Sequence, residues 1–136
     1  MPVQTVLVSA AATSALTVSV MLVVHRIRQR IRTRNELLEL IGQDQYAYVI
    51  LDVRTEEEYR RGRIPSAMNI PFDVARERFP SENMFERIYV YGPNRRRAGS
   101  VARFLYRNGY FNVTNYGGFR GWKGPVESDT AESDAE

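Results

Sequence analysis

The chain has 136 residues, 43% hydrophobic and 26% charged, which allows one domain of ordinary size with a packed core plus short extras. It contains no cysteine and a single histidine, His25. Disulfides, thiolate metal sites and persulfide or thioester chemistry on this chain are therefore excluded, and Cys/His metal sites and histidine general-base catalysis nearly so. The net charge of +3 conceals a layout: five arginines and no acid at residues 26–34, fourteen basic and eleven acidic side chains at 35–124, and five acids with no base at 125–136.

Residues 6–24 (VLVSAAATSALTVSVMLVV) carry no charge. As a helix they rise about 28 Å at roughly 1.5 Å per residue, close to the ~30 Å hydrocarbon core of a bilayer. The hydroxyls of Ser9, Thr13, Ser14, Thr17 and Ser19 can bond back to helix carbonyls at little cost. The basic residues follow the run, whereas a cleaved secretion signal carries them before it. The positive-inside rule then predicts a single-pass transmembrane anchor (1–25) with its N-terminus outside, a basic juxtamembrane segment (26–34) suited to anionic headgroups, and a cytoplasmic domain (35–124).

Thr33-x-x-Glu36 has the form of a capping box ahead of Leu37, Leu38, Leu40 and Ile41, and predicts a new helix separate from the membrane span. Residues 46–52 (YAYVILD) read as a buried strand, and Thr55-x-x-Glu58 opens a short charged helix. Residues 66–70 and 87–91 read as two further strands, with one helix turn around 74–78 between them. Ala98, Val101, Ala102 and Leu105 mark the buried face of a helix ending at Asn108-Gly109. Residues 110–114 give a last strand, and the acidic, small and polar residues 125–136 predict a disordered tail. Alternating strands and helices with continuously apolar strands imply an α/β domain with a mostly parallel sheet. Ligands bind such sheets at the carboxyl ends of the strands, which directs attention to residues 92–99.

Three segments resemble one family. LDVRTEEEYRRGRIPSAMNIP (51–71) is similar to the rhodanese strand end and following G-H-I-P-G-A-x-N-I-P. YVYGPNRRRAGSVARFL (89–105) resembles the family's active-site strand, loop and helix, and YGGFRGWKGPVE (116–127) its closing glycine-glycine-tryptophan motif, with Gly117, Gly118 and Trp122 in place. The resemblance spans about residues 33–127 and implies a rhodanese-like, five-stranded parallel sheet flanked by helices. It also implies a catalytic cysteine at the position held here by Gly92, and a loop glycine at the position of Arg95. Arg97 matches the arginine closing the loop, Ala98 replaces the family's small serine, and Arg63 replaces a histidine.

In the family the thiolate takes a sulfane sulfur and holds it as a persulfide. Gly92, Pro93, Asn94, Arg95, Arg96 and Arg97 offer no nucleophile, so no catalytic residue and no sulfurtransferase activity are expected. No cofactor or metal is expected either. Arg95, Arg96 and Arg97 beside a helix start form a candidate anion site. Asp52 and Arg54 resemble a structural pair that fixes the loop floor, and Glu56–Glu58 reads as a solvated helix start. The sequon Asn112-Val113-Thr114 is discounted as part of a buried strand. Nucleic-acid binding is not expected, because the basic residues are split between a lipid-facing flank and one loop. The leading expectation is a docking module or accessory subunit at the cytoplasmic face, bound to the bilayer, to a protein partner and to a small anion. The alternative is anion handling or sulfur transfer that relies on a partner's thiol.

Overall fold

The computed structural model describes residues 2–41, 43 and 47–129, and for residues 2–12 it describes the backbone alone. The chain divides into two units, Met1–Asn35 and Glu36–Glu136.

The described part of the first unit is helical and belongs to α1 (Pro2–Leu40). Every side chain from Thr13 to Arg32 is exposed, including Leu16 at 66% and Met21 at 75%. The break expected at Thr33 is absent. Its Oγ1 donates to the Gln29 carbonyl, 3.0 Å away and one turn back, so the hydroxyl serves an existing helix instead of capping a new one. No glycine or proline stands between Val24 and Leu40 to interrupt propagation. Among the described residues no helix is long and apolar enough to cross a membrane. Positions 6–12 of the expected span lie outside the described side chains.

The second unit is built on β1 (Tyr48–Asp52), α2 (Glu56–Arg61), β2 (Ala67–Asn69), β3 (Arg87–Gly92), α3 (Arg95–Arg107) and β4 (Val113–Gly118), followed by a single 3-10 turn (Phe119–Gly121). The strands form one parallel sheet in the order β2-β1-β3-β4. This corrects the five strands implied by the resemblance to four among the described residues. α1 runs to Leu40, and among the described residues no strand precedes β1.

Side chains alternate across a strand, and both faces of this sheet are covered. Leu51, Val53, Ile88 and Val90 face Ala98, Val101 and Leu105 of α3. Ile50, Tyr89 and Tyr91 face Leu37, Leu40, Ile64 and Trp122. The two-sided burial explains why β1 and β3 read as continuous apolar runs.

Two segments depart from expectation. Residues 72–77 are consecutive turns, with Val74 N–H donating to the Pro71 carbonyl at 3.0 Å and Glu77 N–H to Val74 at 2.9 Å. The last strand begins three residues later than predicted. Gly109 takes φ +95°, after which Tyr110 N–H bonds to Leu105 O and Phe111 N–H to Met84 O, so the chain joins the sheet only at Val113. Asn112 is consequently an exposed loop residue and not part of a buried strand; its amide donates to the Phe85 carbonyl at 2.6 Å.

Candidate functional site

The carboxyl end of β1 carries the floor. Asp52 is fully buried and Arg54 is 6% exposed. The Arg54 backbone N–H donates to Asp52 Oδ1 at 2.8 Å, and Nη2 donates to Oδ2 and to the Gly62 carbonyl, both at 2.6 Å. The guanidinium lies 3.9 Å from the centroid of Phe119 and 5.4 Å from that of Tyr91. Burial opposes its charge, but the hydrogen bond and attraction of Asp52 outweigh that, and the Arg54 pKa rises. The Tyr91 hydroxyl, which accepts from Ile64 N–H at 3.3 Å, is pushed well above its ordinary range, first by burial and then by the charge of Asp52. Asn69 Nδ2 donates to the carbonyls of both Asp52 and Arg54 at 3.0 Å. Asp52 and Arg54 are buried and bonded to one another and to the neighbouring backbone, which suits a strut.

Above the floor, β3 ends at Gly92 and only Pro93 and Asn94 separate it from α3. Asn94 is the N-cap: its Oδ1 accepts from Arg97 N–H at 3.0 Å, and its carbonyl accepts from Ala98 N–H at 3.2 Å. Arg95, Arg96 and Arg97 are thus the first residues of the helix and do not precede it. The cap occupies two backbone donors, and Pro93 has none. A Cβ on Gly92 would stand 2.9 Å from Val53 Cγ2 and 3.5 Å from Ala98 N. Gly118 of β4 lies under the same turn, where a Cβ would meet Pro93 O at 3.3 Å.

Arg96 and Arg97 line a depression of about 460 Å³ together with Phe72, Asn94, Ser100 and Arg103. The Arg97 guanidinium sits 5.3 Å from the Phe72 centroid. Arg95 is not part of this lining. Its carbonyl accepts from Asn115 Nδ2 at 3.1 Å, and its Nη1 is 3.7 Å from where a Cβ on Gly117 would lie. Two of the three predicted arginines therefore share the depression, and Arg103 joins them. Sequence reasoning missed Arg103, although Arg96, Ser100 and Arg103 follow the i, i+4, i+7 spacing of one helix face.

Arg63 turns to the tail. It forms an antiparallel bridge with Glu127, with backbone bonds of 2.8 and 3.0 Å, and its Nη1 is 2.5 Å from Asp129 Oδ1. Residues 125–129 of the predicted tail are held in this way, and Pro125 O accepts from Trp122 Nε1 at 2.7 Å. Residues 130–136 lie outside the described residues. Glu58 completes the Thr55 capping box, while Glu56 and Glu57 pair with Arg60 and Arg61.

A family model for the rhodanese-like domain matches residues 33–125, more than half of the chain. The chain belongs to the rhodanese-like domain family. The putative sulfur carrier protein YrkF of Bacillus subtilis is 35% identical over 79 residues, 57% of this chain but only 43% of YrkF. The thiosulfate sulfurtransferase PspE of Escherichia coli is 32% identical over 74 residues, 52% of this chain and 69% of PspE. The crystal structure of a rhodanese-like domain protein from Staphylococcus aureus superposes with a TM-score of 0.61 at 31% identity, covering 70% of this chain and 93% of that one. Within this rhodanese-like domain, the strand end where the resemblance puts the nucleophile is a buried glycine under a two-residue turn.

Proposed function

We propose that this rhodanese-like domain is a non-catalytic docking module tethered to the cytoplasmic face of a membrane. One observation carries the first half of the reading. The position of the family's thiolate is Gly92, in a chain without cysteine, and Val53 Cγ2 stands 2.9 Å from where a Cβ there would lie. A persulfide has no atom to form on, and the backbone donors that would stabilise it are partly committed to the Asn94 cap. The tether is supported by the uncharged residues 6–24, by the exposure of Leu16, Val18, Val20, Met21 and Leu22, and by the five arginines that follow.

The full chain in mild detergent is to be assayed for transfer of sulfur from thiosulfate to cyanide. Thiocyanate at the protein-free rate is expected, and turnover without added thiol overturns the reading. A reporter fused after Glu136 is expected to behave as cytoplasmic; activity on the opposite side overturns the orientation. The likeness to PspE favours a second reading, sulfur transfer assisted by a thiol from another molecule. That reading requires protein-dependent turnover to emerge when dithiothreitol is supplied.

A further inference from the structure

Resting on the docking reading, we infer that the Arg96–Arg97–Arg103 depression is the docking surface and that it takes an extended acidic segment of a partner protein. Arg54, Arg60, Arg61, Arg63 and Arg87 each meet a carboxylate. Arg96, Arg97 and Arg103 meet none among the described residues, although all three line one concavity and all three are exposed. Glu127 and Asp129 at the start of the acidic tail are committed to Arg63. Three like charges gathered in one depression repel one another, and a complementary anion relieves this.

The shape selects among anions. Arg96 and Arg103 stand seven residues apart on α3, about 10 Å along its axis at 1.5 Å per residue. Arg97 and the Phe72 ring lie beside them in the same lining. An extended peptide in the polyproline II form rises about 3.1 Å per residue with three residues per turn, so carboxylates three positions apart share a face and span a comparable distance. Ser100 and Asn94 lie within the same lining as neutral partners for its backbone, and Phe72 offers an apolar surface between the charges.

The probe is fluorescein-labelled octaglutamate, titrated by fluorescence anisotropy against the full chain in neutral detergent. Binding is expected to weaken with added salt and to fall by about tenfold in Arg96→Glu/Arg103→Glu. Arg28→Glu/Arg32→Glu is expected to keep the parent affinity, which separates the depression from the other basic block. Circular dichroism checks that the variants fold, and Arg96→Ala/Arg103→Ala replaces the reversal if it does not. Absence of binding, or loss only in the Arg28/Arg32 variant, overturns the inference. So does inorganic phosphate displacing the peptide at equal concentration, which would mark a small-anion site, or micelles containing phosphatidylserine engaging Arg96 and Arg103 where octaglutamate does not. None of these results bears on sulfur transfer or on topology, so the docking surface can fail while the parent reading stands.

Discussion

Gly92 is tolerated where it is because nothing projects from it. Replacing it with cysteine, the change that nominally restores the family nucleophile, drives a Cβ to 2.9 Å from Val53 Cγ2 in a fully packed layer. Overpacking of this kind costs about 1–3 kcal/mol. Gly92→Cys is therefore expected to lower the free energy of unfolding by that amount and to leave sulfur transfer at the background rate. Val53→Ala removes the obstructing methyl, so a double-mutant cycle in denaturant should show Gly92→Cys costing less in the Val53→Ala background. Equal costs in both backgrounds would show that the contact is not the obstacle. Arg95 has a different part from the one suggested by the motif. As the first residue of α3 it needs no left-handed backbone, and Ser66 at φ 63° is the non-glycine residue with positive φ among those described. Tyr89 adds a pH dependence. Burial, and then its hydrogen bond to Glu36 at 2.9 Å, push its hydroxyl up to about 12 from 10.0. The folded state keeps this proton while the unfolded chain loses it, so the stabilisation is complete below pH 10 and is lost as pH rises towards 12. Alkaline titration followed by near-ultraviolet circular dichroism should show stability falling in that window, with a shallower fall in Tyr89→Phe. A profile unchanged by the substitution would assign the alkaline loss elsewhere.

At the level of elements, the chain contains a natural control: two Thr-x-x-Glu patterns with opposite outcomes. Thr55 caps α2, with its hydroxyl accepting from Glu58 N–H at 3.3 Å and the Glu58 carboxylate accepting from Thr55 N–H at 3.1 Å. Thr33 lies inside a continuous helix. Thr55→Ala is expected to cost about 1 kcal/mol and Thr33→Ala a few tenths at most, read as thermal midpoints. A comparable loss from both would imply a helix boundary at Thr33 after all. The same contrast shows what was legible. Residues 46–52 and 87–91 identified β1 and β3 to within two residues, because burial on both faces writes itself as an unbroken apolar run. The onset of β4 was not legible, because it depends on the hydrogen bonds that Tyr110 and Phe111 make to Leu105 and Met84. The grouping of Arg96 with Arg103 was not legible in the run of three arginines, because it depends on the helix bringing residues seven apart onto one face.

Across the whole molecule, charge is laid out in blocks, and the structure shows where one block ends. The acidic tail begins on the flank of α2, where the peptide groups of Glu127 and Arg63 exchange two hydrogen bonds and Asp129 reaches the same guanidinium. This fastening joins positions 66 apart in sequence without a covalent link. Its consequence is mechanical. Tension applied to the C-terminus, by a fused cargo or by a protease drawing on the tail, falls first on those two backbone bonds and the two ion pairs of Arg63, which can peel away singly. The ladder between β3 and β4 carries load only afterwards, so the fastening acts as a fuse that yields before the sheet does.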